Sequence, residues 1–232
     1  MAPQAPAPLL AHLAGCPGME RGHRRLVVLL SQLGDFDSLE YAQALAAALP
    51  ELEAAGIRLL AIGIGEEAGA ERFCGFTGLP RALLQLEGTP RLHRALGLSE
   101  GLQAPGGPWP SLLLMCAGVG SPGTLAEVFR GYTGDRSAPQ RLDSPLFNLA
   151  GGEGFQRPFE LATVRLRNMV EVLSHWRTYV PRDDYLTQRG ATYLLERDDS
   201  LLYGFQDRGL LGFSATMARP LSFLDPYLAE AG

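Results

Sequence analysis

Residues 25–41 read RLVVLLSQLGDFDSLEY. The run Leu26, Val27, Val28, Leu29, Leu30 contains no polar residue and stops at Ser31-Gln32-Leu33-Gly34. A strand covered on both faces has this pattern, because neither face meets water. Asp37 then offers an N-cap, and Glu40, three residues on, a capping box. Leu39, Ala42, Leu45, Ala46 and Leu49 recur at helical spacing and give the following helix an apolar stripe. Strand, loop and helix in that order form the unit on which α/β folds build sites, since backbone N–H groups converge where the helix starts. The acidic loop over residues 34–38 is therefore the first candidate site, with Gly34, Asp35, Asp37 and Ser38 as its members.

Upstream, residues 1–22 are rich in Pro and Ala and read as a flexible arm, with at most a helical turn near Leu9 and Leu13. Downstream, Pro50 interrupts the helix, which restarts with the proline in its first turn, runs to Ala55 and stops at Gly56. Residues 57–64 read as a second buried strand, 66–76 as a short helix and 82–86 as a third strand. Thr89 caps a helix over 90–96 that Gly97 closes. Alternation of this kind, with short connections, implies parallel strands joined by right-handed crossovers. Near the C-terminus, residues 191–196 and 201–206 flank the turn Arg197-Asp198-Asp199-Ser200, a β-hairpin signal. A βαβ unit, a hairpin and a final helix outline an α/β chain of thioredoxin-like, three-layer α/β/α type, folded as one domain over residues 23–232. The intervening stretch, about 101–181, shows no convincing strand pair and reads as a helical insertion before the hairpin. Within it, the apolar residues 111–117 fit a buried helix or a strand equally. Residues 159–176 give the strongest helix, with Ala162, Leu166, Met169, Leu173 and Trp176 as its inward face and Val170 beside them.

Composition excludes several classes. The 20 basic residues are all arginine and the net charge is −5, so no basic block is present for nucleic acid. Cys16, Cys74 and Cys116 are too few and too widely spaced for a zinc site or a disulfide framework. That usage fits a reducing compartment and a cytoplasmic protein. The N-terminus lacks the basic start and long apolar core of a signal peptide, and no apolar stretch is long enough to span a membrane. No metal set and no cofactor motif is found.

Several stretches together resemble the peroxiredoxin-like AhpC/TSA branch of the thioredoxin superfamily, and within it a subgroup of cyanobacteria and plastids. They are VVLLSQLGDFDSLEYA, GIRLLAIGIG, RFCGFTGLP, VGSPGTLAEVFRGYTGD, GGEGFQRPFELATVRLRNMVEVLSHW and LTQRGATYLLERDDSLLYGFQDRGLLG, which cover most of residues 25–212. The resemblance implies a thioredoxin fold and antioxidant or redox chemistry. That chemistry needs a cysteine at the start of the first helix, where the helix dipole and free N–H groups favour the thiolate that attacks peroxide. Aligned on Gly34, the positions that hold cysteines in redox-active relatives hold Asp35 and Ser38 here. A carboxylate caps a helix well but cannot cycle between thiol and disulfide.

Asp35, Asp37 and Ser38 therefore read first as caps and a solvated loop, and second as a degenerate redox site reused for a ligand or partner. Cys74, in RFCGFTGLP, reads as a small buried hydrophobe or as a relocated reactive thiol with Arg72 beside it. Cys16 lies in the arm and Cys116 among apolar neighbours. Gly120, Ser121, Gly123 and Thr124, with Arg130 and Arg136 nearby, form a Gly-rich loop ahead of a helix, read as a tight turn or as an anion or partner site. It lacks the GK[ST] of a phosphate-binding loop. Arg157, Arg165, Arg167, His175 and Trp176 are a solvated face with a core tryptophan, or a partner face. The expected function is a peroxiredoxin-like scaffold or binding module without two-cysteine chemistry. The alternative is a one-cysteine oxidoreductase or redox sensor using Cys74. The partner is a protein or a small molecule, and because relatives of this fold often dimerise, a homodimer is also expected.

Overall fold

The computed structural model describes residues 3–101, 157–208 and 219–229. Five strands form one mixed sheet: β1 (Arg24–Gln32), β2 (Ile57–Ile64), β3 (Leu84–Glu87), β4 (Ala191–Leu195) and β5 (Leu201–Gln206). Their order across the sheet is β3-β2-β1-β4-β5. The pairs β1–β2 and β2–β3 are parallel, and β1–β4 and β4–β5 are antiparallel. The apolar run that opens the sequence is thus the central strand, paired on both sides.

Alternate residues of β1 supply two cores. Leu26, Val28 and Leu30 face a cluster that contains Leu39, Leu45 and Leu52 of α2 (Phe36–Ala54), Phe73 of α3 (Glu67–Thr77) and Val172 of α5 (Arg157–Ser174). Val27 and Leu29 face the other cluster, with Leu9 and Leu13 of α1 (Ala7–Leu13) and Leu92 of α4 (Arg91–Ala95). Helices on both faces of the sheet make the three-layer α/β/α arrangement of a thioredoxin-like fold. α6 (Trp176–Tyr179) and α7 (Asp225–Ala229) complete the described helices.

Four expectations change. Residues 3–22 are not a loose arm: Leu9 and Leu13 are buried, and Gln4 bridges Ser200 in the hairpin turn. Each leucine sequestered in this way contributes roughly 1.5–3 kcal/mol, which explains why so short a helix docks. The cap of α2 is Asp35 rather than Asp37, its carboxylate accepting the Asp37 N–H, so the capping-box position falls on Ser38 and not on Glu40. Pro50 lies inside a continuous α2. Leu45 before it and Leu52 after it enter the same core, and that packing offsets the lost hydrogen bond. Finally, α5 forms where expected but is rotated about its axis. Asn168 and Val172 are buried, whereas Leu166, Val170 and Leu173 are 59%, 58% and 45% exposed. The rotation follows from a polar match: the Asn168 and Gln43 amides pair at 3.0 and 3.4 Å, which turns that edge of α5 onto α2.

Candidate functional site

β1 ends in an irregularity. Its register against β2 shifts between Leu29 and Gln32, which turns the chain into residues 33–35 and sets Asp35 at the head of α2. The Asp35 carboxylate accepts the Asp37 N–H at 3.4 Å and the Ser38 hydroxyl at 3.5 Å. Every residue from 31 to 40 is buried, Asp35 completely. Gly34, Asp35, Asp37 and Ser38 are thus brought together as expected, but not on a solvated loop.

Segment 179–182 seals the loop. A Cβ on Gly34 would stand 2.3 Å from Val180 Cγ2 and 3.3 Å from Tyr179 Cβ, so only glycine admits the segment so closely. Gln32 Nε2 donates to the Arg182 carbonyl at 2.6 Å. Behind the seal, Glu171 accepts from Arg72 Nε at 2.6 Å and from the Tyr179 hydroxyl at 2.9 Å. That network ties α3, α5 and α6 into one lid-like wall.

Arg189 approaches from the other side, just before β4. It is 2% exposed, and its Nε donates to the Thr187 carbonyl at 2.8 Å while Nη1 stands 3.7 Å from Asp207 Oδ2. Its charge draws the Asp35 pKa down, together with the Ser31 hydroxyl and the Asp37 N–H. Burial and the neighbouring Asp37 carboxylate outweigh them, and the Asp35 carboxyl is pushed up to about 7. Such a group holds a proton near neutral pH. It can take up or release that proton, but it has no exposed surface at which to meet a substrate.

Cys74 occupies the second half of α3 and is buried. Burial raises its pKa, Arg81 pulls the other way, and Glu71 and Glu67 add to the rise. A thiolate is favoured by a helix N-terminus and a cationic neighbour; this cysteine sits towards the helix C-terminus. The half-buried Cys16 donates to the His12 carbonyl at 3.3 Å, and burial raises its pKa as well. Arg167 stacks over Phe76 at 5.7 Å, and His175 Nδ1 lies 3.1 Å from the Glu171 carbonyl. Trp176 packs against the main core. Arg157 and Arg165 lie along α5. Cys116, Gly120, Ser121, Gly123, Thr124, Arg130 and Arg136 lie outside the described residues. Among the described residues no three His, Cys, Asp or Glu side chains converge as a metal site, and no helix is long and apolar enough to cross a membrane.

The sequence reading missed Ser31, Gln32, Arg189 and the seal. Arg189 stands in LTQRGATYLL, one position from a glycine and an apolar strand, and nothing there separates a buried arginine from a solvated one. Gly34 was the available signal, since a glycine before a helix marks either a turn or a close approach.

Comparisons with curated proteins and with solved structures gave no match. The model of a family described as AhpC/TSA antioxidant enzyme matches residues 44–209. The match begins inside α2, beyond Asp35 and Ser38, and runs just past β5. It spans well over half the chain and takes in β2 to β5 and the helices from the middle of α2 to α6, though not α1 or the central strand β1, and on that ground the chain belongs to the AhpC/TSA antioxidant enzyme family.

Proposed function

We propose that this protein is a peroxiredoxin-like member of its family that has lost two-cysteine peroxidase chemistry and acts as a binding or scaffold module. The observation that carries the reading is Asp35. A carboxyl stands at the N-cap where the family's reaction needs a thiol, and it is wholly buried, next to Gly34, on which Tyr179 and Val180 close. Ser38, the second position of the pair, is spent on a hydrogen bond to Asp35. The sequence resemblance supports the subgroup of cyanobacteria and plastids, and the cysteine usage favours the cytoplasm. Relatives of the fold often form homodimers, which makes a dimer the working assembly.

The competing reading is a one-cysteine oxidoreductase using Cys74. The raised thiol pKa and the acidic neighbours Glu67 and Glu71 weigh against it. The test is peroxide consumption by wild type and Cys74→Ser, with intact-mass and thiol mapping after brief, low-dose hydrogen peroxide. We expect no turnover from either form, with the half-buried Cys16 modified before Cys74. A selective sulfenic adduct at Cys74, with turnover that Cys74→Ser abolishes, would establish the oxidoreductase instead.

A further inference from the structure

The described sheet has an edge that stops short. β1 runs alongside the whole of β2, from the pair Arg24–Ile57 to the pair Gln32–Ile64. β3 accompanies only the last four residues of β2, from the pair Ala61–Leu84 to the pair Ile64–Glu87. Among the described residues, 57–60 therefore have a neighbouring strand on one side only. Two hydrogen bonds fix which groups face the vacant side. The Ile64 carbonyl accepts from Leu33, on the β1 side, and the Gly65 N–H donates to the Glu87 carbonyl, on the β3 side. Backbone groups alternate along a strand, so odd-numbered residues face β3. Ile57 and Leu59 thus turn their N–H and C=O groups to the vacant side, and among the described residues no other segment's backbone bonds to them there.

A cavity of about 590 Å³ lies along this edge, a volume typical of ligand sites. Leu49 and Leu52 of α2 wall it on one face of the sheet, and Met19 on the other. Ala82 and Leu83, just ahead of β3, close its end. The wall on the Met19 side is held in place by Arg58, which donates to the Gly18 carbonyl at 2.6 Å and to Glu20 at 3.1 Å. A slot with main-chain donors and acceptors along its base and apolar side chains on both faces matches an extended peptide. A compact apolar molecule would fill the volume but leave the polar groups of Ile57 and Leu59 unmatched.

We propose that this slot binds an extended segment of another polypeptide by strand addition to β2, in line with β3. The segment would present small or medium apolar side chains alternately to Leu49 and Leu52 and to Met19, because successive residues of a strand point to opposite faces. Four residues span roughly 13 Å at strand rise, the length of the vacant edge. The slot lies at the N-terminal end of β2 and the Asp35 site at the C-terminal end of β1, so the inference stands whatever the fate of the redox loop.

The test uses the full chain and a displayed library of random octapeptides, with hits resynthesised and measured by calorimetry. Three further measurements follow: binding to Ala82→Trp, which fills the slot from an exposed position; binding of peptides N-methylated at alternate residues; and amide exchange at Leu59. We expect hits with alternating apolar positions, at least about tenfold weaker binding to Ala82→Trp and by one N-methylated register, and slower Leu59 exchange in the complex. The proposal falls if the library yields no hit, if hits bind Ala82→Trp unchanged, or if both N-methylated registers bind as well as the parent. It also falls if the Leu59 amide of the free protein is already as protected as that of Ala61, which would mean that another part of this chain occupies the edge.

Discussion

Asp35→Asn replaces a buried carboxyl by its neutral isostere at the head of α2. Asparagine caps a helix about as well as aspartate, so the substitution isolates the charge. The folded-state pKa of Asp35 is about 7, against 3.8 for a freely solvated aspartate. A raised carboxyl pKa means that the folded protein holds the proton more tightly than the unfolded chain. Between those two values folding takes up a proton, and stability falls as pH rises. The Asp35 contribution is least unfavourable below 3.8 and most unfavourable above about 7. The full difference is on the order of 4 kcal/mol, and it already contains the attraction of Arg189, which draws the pKa down.

The substituted asparagine resembles the protonated form at every pH. The stability difference between variant and wild type should therefore grow by about 3 kcal/mol between pH 5 and pH 8, in favour of the variant. Urea unfolding of both proteins at half-unit pH steps measures it, and titrations of groups that do not interact with Asp35 cancel in the difference. A difference that stays constant within about 0.5 kcal/mol would refute the account. Wild type gaining on the variant as pH rises would show that the attraction of Arg189 outweighs desolvation and the Asp37 carboxylate.

Three further outcomes follow from the same geometry. Asp35→Cys puts a thiol at the head of α2 but should give neither peroxide turnover nor a sulfenic adduct at residue 35, because the seal and the Asp37 carboxylate remain; mass mapping after peroxide checks it. Gly34→Ala should cost about 1–3 kcal/mol in urea unfolding, since the added methyl meets Val180 Cγ2 at 2.3 Å. Arg25→Met should cost about 1.5–3 kcal/mol, because Asp199 keeps its ion pair with Arg21. Arg25 is 2% exposed and joins Asp199 of the hairpin turn to the Met19 carbonyl. A double-mutant cycle with Asp199→Asn separates the ion pair from the lost packing.

The strands were the legible part of the fold. β2 begins and ends where its apolar run does, and β4 and β5 flank a turn sequence that admits little else. Helix boundaries were less so: Asp35 and Asp37 are equally good caps, and the choice between them is made by the bulge that ends β1. α1 reads as an arm because what holds it is distant, namely the Gln4–Ser200 bridge and the bond from the Ala5 N–H to the Asp199 carbonyl. Periodicity located α5 and put Met169 and Trp176 against the core, as found, but not Leu166 and Leu173, which are exposed. An apolar stripe says which side a helix can bury, whereas the partner decides which side it does bury, and here Gln43 selected Asn168. The candidate loop was found in sequence and its surroundings were not, since Arg189, Gln32 and residues 179–182 reach it only through the tertiary fold.

On the reading proposed above, thiol chemistry and the fold make separate demands on the head of α2. The match starts at residue 44, so the recognisable likeness lies in the core from the middle of α2 onward, where burial of Leu45, Leu52 and the strand residues constrains sequence strongly. The head of α2 is held to a weaker requirement. It needs an oxygen to accept an N–H, which Asp35 meets, and a shape that fits under Val180, which Gly34 meets. Neither requirement asks for sulfur. Once thiol chemistry is not demanded, a carboxyl satisfies the helix, and its own burial is made tolerable by a raised pKa that leaves it about half protonated near neutral pH. The bonds of Glu171 to Arg72 and Tyr179 tie α3, α5 and α6 together across that end of the sheet, so the packing around the helix head rests on residues other than the cap, and the slot proposed above lies at the other end of β2.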